Sequence, residues 1–202
     1  MAYNSDTEQK ILDAATEVFQ TKGMDGARMQ EIADKAHINK SMLHYYYRSK
    51  QKLFEAVFSG AIRLISPKIK QIIHSDVHLF DKIRIFTDEY ISFISKHSYI
   101  PLFIINELTK HPDMIERLFA DKIDQETEQK IVWQINDLVT KGEIRPIKPE
   151  QLLLDIVSLS IFPIMAKPLL SGILQKDNKA YKELINERKK HVATFIIESI
   201  KL

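Results

Sequence analysis

Ile38-Asn-Lys-Ser-Met-Leu-His-Tyr-Tyr-Tyr-Arg-Ser-Lys-Gln-Lys-Leu-Phe54 is the stretch that decides how this chain reads. No carboxylate lies between Asp34 and Glu55, while Lys35, Lys40, Arg48, Lys50 and Lys52 fall in that gap, with His37 and His44 beside them. Three consecutive tyrosines, Tyr45, Tyr46 and Tyr47, stand at its centre. Lys and Arg neutralise backbone phosphates, and amphipathic side chains reach base edges or stack. The composition therefore suits a phosphate-facing surface. A solvated basic face with tyrosines packed as core has the same composition, so spacing must choose between them.

Working outward, apolar residues recur at three and four, the period of a helix. Ser5-Asp-Thr-Glu8 fits a capping box ahead of Ile11, Leu12, Ala15, Val18 and Phe19. Lys22 and Gly23 close that helix, with glycine as the left-handed cap. A second short helix is expected from about Met29 to Ala36, burying Ile32, Ala33 and Ala36. Asn39 caps a third, from Lys40 to about Tyr47, burying Leu43 and Tyr47. Ser49 caps a fourth, with Leu53, Phe54, Val57 and Phe58 inward, running to Ser66-Pro67. Two short helices joined by a His37-Ile38-Asn39 turn form a helix-turn-helix.

The outward residues of such a third helix carry the chemistry. With Leu43 and Tyr47 facing in, Lys40, Ser41, His44 and Tyr45 face out. Lys40 can donate to guanine, and Met42 offers apolar contact to a thymine methyl. Gln30, on the second helix, meets adenine or a phosphate. Arg28, Tyr46, Arg48 and Lys50 suit phosphates. One such helix covers few base pairs. Two copies about 34–36 Å apart would read a near-palindrome on double-stranded DNA.

The whole chain has 202 residues, 45% apolar, with 29 Lys and Arg against 27 Asp and Glu, a net charge of +2. The charge signal is therefore one of distribution, not of total. The absence of cysteine excludes disulfides, thiolate catalysis and cysteine-ligated zinc. The N-terminus lacks a hydrophobic signal core. The apolar run within 152–170 is interrupted by Asp155, Pro163, Lys167 and Pro168, too broken for a membrane span. A cytoplasmic protein without membrane association is expected. Only 5 Gly and 7 Pro favour long helices. Further helices are expected near 79–96, 99–110, 113–140, 149–173 and 178–201, with Gly142 at a helix end. The fold class is all-α, about nine helices, with a DNA-binding domain at 1–58 and a larger helical domain at 59–202 joined within the fourth helix.

In the larger domain an apolar cavity with a few polar groups is the usual small-molecule site. Phe86, Tyr90, Phe93, Phe103, Asn106, Glu107, Trp133 and Phe162 are the candidates, against the reading of an ordinary aromatic core. Two apolar terminal helices offer a self-association surface. Ile156, Leu159, Ile164 and Leu170 lie on one; Leu184, Val192, Phe195 and Ile196 lie on the other. They suit plain core equally well. His74 and His78 have i, i+4 spacing, but two ligands do not complete a metal site. Glycine-rich phosphate loops, nucleophile elbows and zinc-protease motifs are missing, so no enzyme and no cofactor are expected.

These residues resemble the TetR family of bacterial transcriptional regulators. Ile32-Ala33, Leu43, Tyr46, Tyr47, Ser49-Lys50 and Leu53-Phe54 match its N-terminal pattern, over about residues 7–58. Gly-Glu-Ile-Arg-Pro at 142–146, ahead of Pro149-Glu150, is similar to the family's approach to its dimer helices. Three positions depart from the pattern. His37 stands where the family has Gly, at a position expected to need positive φ; Arg28 replaces a capping Thr; His44 replaces a Tyr. The resemblance implies a homodimer with an intersubunit four-helix bundle, Lys50 anchored to the DNA backbone, and a repressor released from its operator by a small-molecule inducer. An activator of the same fold, an all-α lipid or small-molecule carrier, and a helical interaction module remain alternatives.

Overall fold

A computed structural model describes residues 2–101 and 125–202. Among the described residues there are nine helices of seven residues or more: α1 (Ala2–Gly26), α2 (Met29–Lys35), α3 (Lys40–Tyr46), α4 (Lys50–His74), α5 (Leu79–Lys96), α6 (Gln125–Thr140), α7 (Pro149–Met165), α8 (Lys167–Ile173) and α9 (Asn178–Ile200). The described residues hold no strand, only an isolated antiparallel bridge between Ile144 and Lys201. The protein is all-α. Most of the expected 99–110 helix and the first part of 113–140 lie outside the described residues.

The chain divides into two compact units, with the break inside α4 after Leu64. The sequence boundary at 58 falls in the same helix. In the first unit, Ile11, Ala15, Val18 and Phe19 of α1 form one buried stripe, joined by Ile32 and Ala33 of α2, Leu43 of α3, and Leu53, Phe54 and Phe58 of α4. The Phe19 and Phe54 rings meet edge to face at 4.8 Å, a geometry that adds to area burial. Residues 99–101 belong to this unit, and Tyr99 meets Phe54 at 6.2 Å. α1 begins at Ala2, three residues before the expected capping box at Ser5. Gly23 does adopt positive φ, and it breaks the helix locally before the chain reaches Gly26.

In the second unit α5 packs on α9 and α7, α9 on α7, and α6 on α7. Their core includes Leu79, Ile83, Ile135, Leu152, Val192 and Ile196. α5 has the expected bounds, opened by the His78 ring, whose Nδ1 accepts from the Phe80 amide at 3.2 Å.

Three helix ends share one closure. After α6, the Glu143 amide donates to Leu138 O at 2.9 Å and the Gly142 amide to Val139 O at 3.1 Å, with Gly142 at φ 67°. The same paired bonds close α2 around His37, at φ 56°, and α8 around Gln175, at φ 51°. This motif requires a left-handed residue. Glycine takes that backbone freely, whereas histidine and glutamine take it with steric strain.

Prolines explain two departures from the expected helices. Pro67 lies inside α4, which continues to His74 instead of stopping. One missing amide is outweighed by the buried face that Ile65 and Ile72 extend. The expected helix over 149–173 is instead two, α7 and α8, bent by 75° at Ala166. Pro163 has no amide to give Leu159 O, and Arg188 Nε donates to that carbonyl at 2.9 Å. The Pro163 carbonyl, left behind by the bend, accepts from the Tyr181 hydroxyl at 2.6 Å. Side chains of α9 thus serve the Leu159 carbonyl that Pro163 orphans and the Pro163 carbonyl that the bend leaves behind.

Candidate nucleic-acid interface

α3 is held by its ends and by one buried residue. Asn39 Oδ1 accepts from the Met42 amide at 2.7 Å, the N-cap bond expected for Asn. Leu43 is fully buried. Tyr47, expected as core, is half-buried at the C-cap and donates from its hydroxyl to Glu8 Oε1 at 3.0 Å. Burial, that hydrogen bond and the Glu8 charge push its phenol well above the ordinary tyrosine value. The helix has two turns, shorter than the three or four that suit a groove, so its first turn and exposed face carry any reading of bases.

The exposed face of α3 holds Lys40, Ser41, Met42, His44 and Tyr45 together. Tyr45 is 82% exposed, an unusual position for a large aromatic ring. Its ring meets that of half-buried Tyr46 edge to face at 5.7 Å.

The cations of the carboxylate-free gap divide by partner. Lys35 pairs with Glu17 at 2.5 Å and Lys52 with Glu55 at 2.9 Å. Among the described residues, Lys40 and Arg48 have no ion-pair partner, and neither does Arg28, the uncapped start of α2. Gln30 Nε2 donates to Asp34 Oδ1 at 2.7 Å, so its amide is engaged before any base approaches. Lys50 differs from its sequence expectation as a simple phosphate anchor. It is half-buried, and its ammonium donates to Asp25 O at 3.2 Å and Ala27 O at 3.1 Å, tying the start of α4 to the end of α1. One of its three donors remains. Position in sequence gave no sign of this, because the acceptors are backbone.

The second unit contains a cavity of about 190 Å³ with an aliphatic lining: Ile72 of α4, Ile83 and Phe86 of α5, Ile131 of α6, and Leu152 and Ile156 of α7. Of the candidate ligand residues, Phe86 alone among those described lines it. Tyr90 stacks on Phe86 at 5.3 Å, and burial pushes its phenol up to about 12. Phe93 packs on His97 at 4.7 Å. Trp133 and Phe162 are corrected: they are 67% and 58% exposed and line no part of this cavity. Phe103, Asn106 and Glu107 lie outside the described residues. The missed lining residues are aliphatics at helical spacing, which look like core in a sequence.

The association candidates split in the same way. Val192, Ile196 and Ile156 are buried within their own chain and are corrected to core. Leu159 and Ile164 pack partly against that core, and Leu170 and Leu184 are half-buried. Phe195 is exposed, together with Leu154, Phe162, Leu169 and Ile173, which sequence analysis did not single out for this role apart from Phe162 as a ligand contact. His74 and His78 are drawn to separate partners, His74 Nε2 lying 3.1 Å from Thr127 Oγ1. No single described helix is long and apolar enough to cross a membrane.

The family model for bacterial regulatory proteins of the tetR family matches residues 11–57. IcaR of Staphylococcus aureus, a negative transcriptional regulator of the biofilm operon icaADBC, is 24% identical over 143 residues, covering 71% of this chain and 75% of the relative. Among solved structures, a TetR transcriptional regulator from Chloroflexus aurantiacus superposes with a TM-score of 0.71 at 22% identity over the full length of both chains. FadR of Bacillus subtilis, solved with stearoyl-CoA, superposes with a TM-score of 0.63 at 14% identity, covering 92% of this chain and 97% of that one. The matched residues run from α1 into α4 and include α3, which presents Tyr45 and Lys40, so residues 11–57 carry the helix-turn-helix of the tetR family of bacterial regulatory proteins.

Proposed function

We propose that this chain is a ligand-responsive repressor that binds a near-palindromic operator as a homodimer. The observation that carries the reading is the face of α3. A short helix, fixed by Leu43 and the Asn39 cap, holds Lys40, Ser41, Met42, His44 and Tyr45 in water with no carboxylate among them. The Tyr45 ring, 82% exposed beside Lys40 on a face without carboxylates, combines an apolar body with a polar tip that a base edge can meet. Phosphate contacts fall to Arg28, Tyr46, Arg48 and the remaining donor of Lys50, and base contacts to Lys40 and Tyr45, with Gln30 released from Asp34.

Exposed Leu154, Phe162, Leu169, Ile173 and Phe195 supply an apolar surface for a second copy. Repression is favoured by the likeness to IcaR, a negative regulator. Effector control is favoured by the aliphatic cavity and by the likeness to FadR, solved with an acyl-CoA. α4 carries Lys50 at one end and the cavity residue Ile72 near the other, so a ligand that prefers one position of α4 biases the DNA-binding state. It acts only through its differential affinity for the two states.

The test is a gel-shift titration on the chain's own upstream DNA and on random DNA, at two salt concentrations. The expected result is a salt-dependent complex that prefers the upstream sequence. Tyr45→Ala should lower that preference, and Arg48→Ala should weaken both complexes alike. Equal loss on both DNAs for Tyr45→Ala removes its base-reading role, and no complex at either salt concentration returns the chain to the carrier reading.

A further inference from the structure

The cavity of the second unit is apolar apart from Lys82, Glu128 and Glu150. Lys82 is 5% exposed and lines the cavity. Its ammonium donates to Ile73 O at 2.6 Å, and Lys130, half-buried, donates to His74 O at 3.1 Å. The two cations therefore sit on the last carbonyls of α4. Cations are favoured at a helix C-terminus, so a purely structural role as end caps is the competing account.

That account leaves a charge imbalance. An ammonium has three donors, and the hydrogen bond to Ile73 O uses one. A buried cation is stable when paired, yet no ion pair to Lys82 forms among the described residues. Burial and the neighbouring Lys130 charge push its pKa down, opposed by Asp76. The other charged lining residues, Glu128 and Glu150, are exposed. The buried charge the cavity presents to a guest is positive.

We propose that this cavity takes a small organic monocarboxylate, its apolar body among Ile83, Phe86, Ile131 and Ile156 and its carboxylate on Lys82, with Lys130 adding to the attraction. The size follows from the volume. A cavity of about 150 Å³ admits benzene, so about 190 Å³ takes a body of about six to eight non-hydrogen atoms. The carboxylate supplies the missing counter-charge in a low-dielectric setting, where a charge-assisted bond is strongest. The inference rests on reading the cavity as the effector site.

The experiment is calorimetric titration of the full chain with benzoate, benzyl alcohol and benzylamine, which share a ring and differ in head group. Benzoate is expected to bind at least about tenfold more tightly than the alcohol, and benzylamine more weakly still. Lys82→Met should reduce the acid-to-alcohol ratio to about one while leaving alcohol binding in place. An alcohol as tight as the acid, a preference for the amine, or no binding by any of the three overturns the proposal. The wild-type ratio decides even if Lys82→Met does not fold. Operator release is measured separately. Benzoate binding without release keeps the ligand class and removes the regulatory reading, whereas intact DNA binding with no acid bound does the reverse.

Discussion

Pro163 and Arg188 should be energetically coupled although one is a helix residue and the other a side chain on a different helix. Arg188 Nε donates to the carbonyl that Pro163 cannot serve. Arg188→Met keeps most of the stem and removes the donor, stranding Leu159 O. A hydrogen bond from a charged donor contributes about 1.5–3 kcal/mol. Arg188 is half-buried, and water replaces part of the loss, so about 1–2 kcal/mol is expected. In a Pro163→Ala background the helix regains an amide at position 163, and Leu159 O has its ordinary partner. Arg188→Met should then cost a few tenths of a kcal/mol. Pro163→Ala also removes a buried ring and loosens the unfolded chain, but both effects cancel in a double-mutant cycle. The expected coupling is about 1 kcal/mol. Urea unfolding of the four proteins, followed by far-UV circular dichroism at one protein concentration, measures it. Additive costs, within about 0.3 kcal/mol, would falsify the account of Arg188 as a substitute for the missing amide.

His37→Gly should stabilise the chain, because relief of about 1–2 kcal/mol of left-handed strain exceeds the extra unfolded-state entropy of glycine, about 0.5–1 kcal/mol; an unchanged urea midpoint would mean that the imidazole makes a compensating contact. Alkaline stability should fall above pH 10. The Tyr90 phenol is raised from 10.0 to about 12 by burial, so the fold holds that proton more tightly than the unfolded chain does, and its contribution is full below pH 10 and lost as pH climbs toward 12. Tyr90→Phe should flatten that decline in urea midpoints measured between pH 9 and 12, and an unaltered slope would acquit Tyr90. Phe195→Glu and Phe162→Glu should each shift sedimentation toward the monomer while leaving the helical spectrum intact; a chain whose association state ignores both uses another face.

Helix positions were legible because periodicity and caps are local. α5 came out with its expected bounds, Asn39 and Ser49 cap where expected, and His37 takes the positive φ that its place in the turn demanded. What failed needed a partner from elsewhere in the chain. A proline reads as a stop unless its orphaned carbonyl is met by a residue such as Arg188, which no local window contains. Facing failed for a related reason. Phe195 and Ile196 differ by one step, about 100° around the helix, yet one is exposed and the other is core. In a helix apolar on several sides the pattern marks no single inward face. Large aromatics drew attention as ligand contacts, but Trp133 and Phe162 face water, and apart from Phe86 the apolar lining is mostly isoleucine and leucine, whose spacing is that of any core.

The partner analysis of the cations sets a quantitative expectation for DNA binding. Sequence alone offers Lys35, Lys40, Arg48, Lys50 and Lys52 in the gap, with Arg28 nearby. The structure assigns Lys35 and Lys52 to carboxylates and most of Lys50 to backbone carbonyls. Among the described residues, Arg28 and Arg48 are then the cations that meet phosphates without breaking an ion pair, and Lys50 adds its remaining donor. In a dimer this amounts to about six neutralised phosphates, and the logarithm of affinity should fall against the logarithm of salt concentration with a slope of about −5. Recruiting Lys35 and Lys52 as well would bring about ten phosphates and a slope of about −9. The measurement is made at one fixed pH over a range of potassium chloride concentrations. A slope near −5 supports a preformed surface whose ion pairs survive binding. A slope near −9 means that DNA pulls Lys35 from Glu17, so the α1–α2 packing loosens in the complex, while a slope near zero removes the phosphate-facing reading of α3 altogether.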